Sequence, residues 1–233
     1  MTWWAKPSGA YGLESNEAYD NMDEIYNLLH NEWTLTAICG MLGNMFAESG
    51  FNPWRWQGDS VNYKGGYGLV QFTPARSYKD ENNVNRIGYI TNTEAQINGF
   101  GQNYTGYAPN LSVSEQTSGA NVSDGNAQIL AVNDNAGGKY TSYNRNCPYQ
   151  DLSSVDTFTQ YKECENLWIA TVGWLWYYEA PASVNKTYEK AKIRFGYAQS
   201  CWEHFTEDPP IPPSPPKPQR QHKMSLYFYL RRL

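Results

Sequence analysis

The stretch from Trp33 to Ala75 constrains this chain more than any other. It joins a helix-period run, WTLTAICGMLGNMFAESG, to an aromatic, glycine-rich segment ending in GGYGLVQFTPA. Leu35, Ile38, Leu42, Met45 and Phe46 recur at spacings of three and four, which predicts an amphipathic helix with these residues on one face. Glu48 follows near the end of that helix. Negative charge is disfavoured at a helix C-terminus, and apolar neighbours penalise ionisation further, so both effects are expected to raise its pKa. A carboxylic acid that keeps its proton near neutrality suits a general acid. A solvated glutamate at a helix end is the ordinary alternative. Beyond Pro53 the period breaks, and Trp54, Trp56, Tyr63, Tyr67 and Phe72 arrive among Gly58, Gly65, Gly66 and Gly68. That pattern predicts a small antiparallel lobe with tight turns, set across a cleft from the helices.

The run Phe46-Ala47-Glu48-Ser49-Gly50-Phe51-Asn52-Pro53, followed by Gly66-Tyr67-Gly68-Leu69-Val70-Gln71-Phe72-Thr73-Pro74, resembles the lysozyme-like superfamily. The resemblance is strongest to phage tail lysozymes and reaches, more distantly, to goose-type lysozymes and soluble lytic transglycosylases. In those families an E-S-x-x-N-P block carries the catalytic acid and a G-x-G-L-x-Q block lines the sugar groove. The resemblance therefore implies Glu48 as the acid and Gln71 as a glycan contact, a role its amide suits because it both donates and accepts hydrogen bonds. Trp54 and Tyr67 are further candidates for the groove, with a place in the small-lobe core as the equal alternative. Asn44, four residues before Glu48, shares its helix face. The G-N-M that contains it also resembles the family pattern; on its own it reads as a surface amide.

Glycoside hydrolysis usually needs two carboxylates, one to protonate the leaving oxygen and one to serve water or the sugar centre. Asp59 is the candidate for the second, since it follows Glu48 by eleven residues and falls at the start of the opposite lobe. A solvated turn aspartate is its alternative reading. Lytic transglycosylases manage with one acid, so the product chemistry, a hydrolysed or a 1,6-anhydro sugar, stays open. Glu179 can be argued as the second carboxylate too, but a structural role at a helix end is preferred.

With 233 residues the chain suits one mid-sized domain plus an appendage. A net charge of -5 gives no electrostatic footprint for nucleic acid. Nine Trp and nineteen Tyr exceed what a core normally requires and permit sugar binding without identifying it. The start, MTWWAKPSGAYG, lacks the features of a secretory signal. The most apolar run, Leu167 to Tyr178, is too short for a membrane span. Cys39, Cys147, Cys164 and Cys201 show no metal-ligand spacing, so a zinc site is not expected. Cys39 reads as a buried thiol, whereas Cys147 and Cys164 could pair in an oxidising setting.

Elsewhere, a first helix is expected over Ser15 to Asn31 with Ser15 as its N-cap. Another is expected over Arg86 to Phe100, and residues 101–150 read as a loop-rich insertion of turns and short elements at the cleft rim. Glu165 to Tyr178 should be the central buried helix and Val184 to Phe205 a closing one. The Y-E-x-P at Glu179 and the R-x-x-x-A at Arg194 again resemble phage tail lysozymes, where they finish the domain structurally. Residues 208–219, containing DPPIPPSPPKP, form a polyproline-type linker, and 220–233 a basic, aromatic tail.

The expected fold is α+β, mainly α: a lysozyme-like domain over residues 1–207, with a larger helical lobe and a small β-hairpin lobe flanking a glycan cleft. The resemblance implies a muramidase that cleaves the β-1,4 bond between N-acetylmuramic acid and N-acetylglucosamine in bacterial peptidoglycan, without cofactor or metal. It further implies carriage in a phage virion, with other tail proteins as partners of the C-terminal tail. The rivals are a lytic transglycosylase and a non-catalytic tail-tip or wall-binding protein.

Overall fold

The computed structural model describes residues 3–6, 12–59, 66–72, 120–135, 138–141, 146–180 and 187–206. Helix α1 runs Ser15–Leu29 and α2 Leu35–Ser49; α3 is Ala120–Asn133, α4 Phe158–Lys162, α5 Leu167–Gly173 and α6 Tyr188–Thr206. A π-helical turn, Trp174–Glu179, continues α5.

The first helix starts one residue earlier than Ser15 suggests. Glu14 is the N-cap, and its backbone N–H donates to the Glu17 carboxylate at 2.6 Å in a capping-box arrangement. Met22, Ile25 and Leu29 face the core, as their spacing predicts. Thr34 caps α2 by accepting from the Ala37 N–H, and its hydroxyl donates to the Cys164 carbonyl at 2.6 Å. Gly50, at φ 59°, ends α2 in the left-handed conformation that costs glycine no Cβ clash.

Helix α2 is the axis of the molecule, with α5 and α6 packed along it. Two glycines set how near they come. A Cβ on Gly40 would lie 2.6 Å from that of Ala170, and a Cβ on Gly43 would overlap the Arg194 carbonyl and Ala198. Ala198 and Arg194 are the two ends of the R-x-x-x-A pattern, so the motif marks where α6 crosses α2.

Among the described residues most tryptophans are core. Trp3, Trp33, Trp54, Trp56, Trp168, Trp174 and Tyr161 are all buried, and several polar handles find partners. Trp33 donates to Asn133 at 2.7 Å, Trp3 to Asn126 at 2.9 Å and Trp168 to Gln150 at 2.8 Å. The Tyr161 hydroxyl donates to the Ala37 carbonyl at 3.0 Å.

Two expectations need correction, and the cysteine pairing left open in the sequence is not formed. Phe46, placed by its spacing on the apolar face of α2, is 39% exposed and rests on Tyr197 and Phe51. The segment read as a rim insertion contains α3, whose Gln128 is buried between the two motif blocks. Its hydrophobic period is weak because α3 fixes its neighbours with amide hydrogen bonds from Asn126, Gln128 and Asn133 as well as with apolar surface. All four cysteines are free thiols.

Among the described residues there is no β-strand. Two isolated antiparallel bridges, Trp56 with Tyr67 and Tyr67 with Phe72, stand where the hairpin lobe is expected. The helix expected over 86–100, the linker and the tail lie outside the described residues.

Candidate active site

The local chain around Glu48 is held from three sides. Ser49, the next residue, is buried, with its hydroxyl 3.1 Å from the Met45 carbonyl and 2.9 Å from that of Leu69. The E-S-x-x-N-P block thereby grips the G-x-G-L-x-Q block directly. Gln128 grips both: it accepts from the Leu69 N–H and donates to the Pro53 carbonyl, each at 2.8 Å. Asn52 accepts from the Lys6 and Trp54 N–H groups and donates to the Lys6 carbonyl, tying the N-terminal segment to the same corner.

Gly68 explains itself in this setting. Its φ of 82° is a left-handed conformation, and a Cβ would overlap the Gln128 amide. The Gly68 N–H donates to the Arg55 carbonyl at 2.8 Å. The Gln71 amide donates to the carbonyls of Arg55 and Gly68 at 3.1 and 3.0 Å, and its own φ of 47° closes the turn. Gln71 is half-buried. Tyr67 and Trp54, at 0% and 1% exposure, are core residues beneath the turn. Of the two places open to them in the sequence, this conformation gives them the core. Asp59 ends a 3-10 turn, Gln57–Asp59, that passes through Gly58 at φ 68°. Its side chain lies outside the described residues.

Glu48 itself meets a cation. Arg194 of α6 reaches across the Gly43 crossing and donates from Nη2 to Glu48 Oε1 at 2.5 Å. Its Nη1 donates to both the backbone carbonyl and the Oδ1 of Asn44, at 3.2 Å each. Asn44 is fully buried, not a surface amide, and its Nδ2 donates to the carbonyls of Gly40 and Thr171. This is a chain of support. The α5 carbonyl fixes Asn44, Asn44 fixes the guanidinium, and the guanidinium fixes the acid. The side chains of Arg194 and Glu48 are 12% and 22% exposed, so the pair is sheltered yet open to a ligand. The sequence argument for Glu48 weighed only a helix end and apolar neighbours. It lacked this guanidinium.

A second acid follows α5. Glu179 closes the π-helical turn after α5 and accepts from Trp174 Nε1 at 2.9 Å. Burial, and then the Glu48 charge, push its carboxyl up to about 7, against the opposing pull of Lys139 and Arg194. Lys139 lies over the rings of Tyr178 and Phe72, with Nζ 4.9 and 5.5 Å from their centroids. Burial holds its ammonium below the ordinary lysine range, while Glu179 and Glu48 pull it back up. The charges of Glu48, Glu179, Lys139 and Arg194 thus act on one another.

Sequence reasoning read Arg194 as part of the structural finish of the domain and preferred a structural role for Glu179 while allowing it as a second carboxylate; the R-x-x-x-A and Y-E-x-P patterns had flagged both. Lys139 carried no signal, being one lysine in an Asn/Gly-rich run. Among the described residues no group of His, Cys, Asp and Glu could hold a metal ion, and no helix is long and apolar enough to cross a membrane.

The chain is 48% identical over 79 residues to Morphogenesis protein 1 of Bacillus phage B103; the match spans 32% of this chain and 22% of that protein. The family model described as phage tail lysozyme matches residues 20–205, from within α1 almost to the end of α6. That span holds both motif blocks, the Asn44–Arg194–Glu48 chain and Glu179, and on it the chain belongs to the phage tail lysozyme family.

Proposed function

We propose that this protein is a phage tail-associated peptidoglycan hydrolase, a muramidase that cleaves the β-1,4 bond between N-acetylmuramic acid and N-acetylglucosamine and opens the bacterial cell wall during infection. The observation that carries the reading is the placement of Glu48. It adjoins the corner where Ser49 and Gln128 join the two motif blocks, and its carboxylate is bonded to Arg194, which Asn44 holds in turn.

In this reading Glu48 delivers a proton to the glycosidic oxygen, and the bond from that oxygen to the sugar carbon breaks with its electron pair staying on the oxygen. Arg194 steadies the carboxylate that remains. Asp59 serves the water or the oxocarbenium-like centre. Gln71 is the glycan contact, with Tyr67 and Trp54 supporting the turn from below. This chemistry calls on no cofactor. Tethering to other tail proteins would fall to the C-terminal tail.

The test is wall clearing by Glu48→Gln and Asp59→Asn beside the wild type, with glycan binding and Tm measured on each. Glu48→Gln is expected to bind and melt like the wild type and to clear nothing. Clearing by that variant would refute the acid assignment. Full activity of Asp59→Asn would release Asp59 and move the chemistry toward a lytic transglycosylase. Binding without clearing by the wild type would favour a non-catalytic wall-binding protein.

A further inference from the structure

Residues 3–6 are held by two asparagine side chains in a way that the packing of a core does not require. Asn21 of α1 accepts from the Trp4 N–H at 2.8 Å and donates to the Trp4 carbonyl at 2.7 Å. Asn52 does the same for Lys6, accepting at 3.2 Å and donating at 2.8 Å. Each amide thus clasps both backbone groups of one residue. The residues between and before them, Ala5 and Trp3, are buried. Alternation of a clasped residue with a buried one is the period of an extended segment. The side-chain positions are equally distinct. Trp3 fills the space that a Cβ on Gly125 of α3 would need, and its Nε1 donates to Asn126. Lys6 Nζ lies 2.7 Å from the Glu17 carboxylate, and Trp4 Nε1 donates to Asp20 at 2.8 Å. An indole pocket, a methyl-sized site and an acidic wall are what recognition of an extended peptide uses: main-chain bonds for affinity, alternate side chains for specificity.

The same two asparagines hold the strained end of α2. After Gly50, Phe51 also takes the left-handed conformation, at φ 62°, a costly one for a bulky side chain. Its carbonyl accepts from Asn21 Nδ2 at 2.9 Å, the nitrogen that also donates to Trp4. The Trp54 N–H donates at 3.1 Å to Asn52 Oδ1, the oxygen that also accepts from Lys6. Asn21 and Asn52 are both buried, so withdrawal of residues 3–6 would strip sheltered polar atoms of these bonds and loosen the hold on Phe51. We propose that this groove is a recognition site for an extended Trp-x-Ala-Lys segment, filled here by the chain's own residues 3–6, and that its filling fixes the Phe51–Asn52 corner and, through it, Glu48. The last step rests on Glu48 being the acid that acts on the glycan. Phe51 follows Glu48 by three residues, and Ser49 between them bonds the Leu69 carbonyl. Relaxation of Phe51 therefore turns the end of α2 and moves the acid from Arg194. Residues 3–6 act through Asn52 and Phe51 and are a positioning segment.

The experiment unseats the segment in the full chain and refills the groove in trans. Trp3→Ala combined with Ala5→Asp empties the indole pocket and puts a carboxylate where a methyl group is buried, while Asn21 and Asn52 stay in place. A synthetic Thr-Trp-Trp-Ala-Lys-Pro peptide, the sequence of residues 2–7, is then added, beside the same peptide with alanine for Trp3. On solubilised peptidoglycan the unseated chain is expected to lose about 10- to 100-fold in kcat through misplacement of the acid, with KM little changed. The peptide should restore kcat along a saturating curve, and the alanine peptide should not. A kcat equal to that of the wild type, or a loss that the peptide does not restore, would overturn the proposal. If the double variant does not fold, hydrogen exchange on the wild type decides. The Trp4 and Lys6 amides are expected to exchange together with those of Asn52 and Trp54, and exchange of the first pair about tenfold or more ahead of the second would overturn the coupling. A wild type that cleaves no glycan would instead sink the functional reading. Peptide binding to the unseated chain and the exchange rates would still decide whether the groove is a recognition site that holds the corner.

Discussion

Arg194 is the side chain on which the geometry of the acid depends. It donates to Glu48 and twice to Asn44, so its removal leaves a sheltered carboxylate unpaired and frees the acid to turn. Arg194→Ala is expected to cost about 1 to 3 kcal/mol of stability, less than a fully buried pair because both side chains keep some exposure. It should lower kcat by roughly 100-fold through misplacement of the acid. Arg194→Lys keeps the charge but loses the fork that spans Asn44 and Glu48, so it should recover stability better than rate. Chemical denaturation and steady-state kinetics on the two variants check both statements.

Glu179 also makes a statement about stability. Its carboxyl binds a proton more readily folded, near 7, than at its ordinary value of 4.5, so between those values the native state holds more protons than the unfolded chain. Stability from this group therefore falls as pH rises from about 4.5 to about 7 and stays low above it, by on the order of 1 to 3 kcal/mol. Glu179→Gln should flatten that part of the stability curve, which denaturant midpoints at a series of pH values would measure.

At the scale of the elements, two close contacts place the site. Gly43 lets α2 approach α6 until backbone meets backbone. Gly43→Ala gains about 1 kcal/mol of helix propensity but inserts a methyl group against the Arg194 carbonyl, which cannot yield as a side-chain tip would. The net effect should be destabilising by about 1 to 2 kcal/mol, with activity falling further because the same carbonyl belongs to the arginine that holds the acid. Gln128→Leu should cost roughly 2 to 5 kcal/mol, since the Leu69 N–H and the Pro53 carbonyl would both be left buried and unpaired. Both are read from Tm and turnover.

These elements also show how far the sequence could be read. The α1 and α2 helices and the position of Glu48 were legible, because their apolar spacing and the E-S-x-x-N-P block are local signals. The α3 helix was not, since its buried Gln128 and the amides of Asn126 and Asn133 look like loop residues until their partners are known. Arg194 and Glu179 were visible as motif members, but their meeting with Glu48 depends on how α6 and the π-helical turn cross α2. That crossing is set by Gly43 and by the Asn44 bond to Thr171, contacts between residues more than a hundred positions apart.

At the scale of the whole molecule, one axial helix organises the described elements. The N-terminal segment, α3, the glycine turn, the π-helical turn and α6 each contribute a bond or a charge to the neighbourhood of Glu48. Membership of the phage tail lysozyme family places this architecture among proteins whose family is named for the lysis of walls. The matched stretch covers about a fifth of its phage B103 relative, so the activity proposed for this chain is argued from its own site. The most direct measurement is mass spectrometry of the soluble fragments released from several bacterial peptidoglycans by the wild type and by Glu48→Gln. Fragments carrying reducing N-acetylmuramic acid ends with the wild type, and none with Glu48→Gln, are the expected result. Anhydro ends, or fragments that persist without the Glu48 carboxyl, would contradict the account.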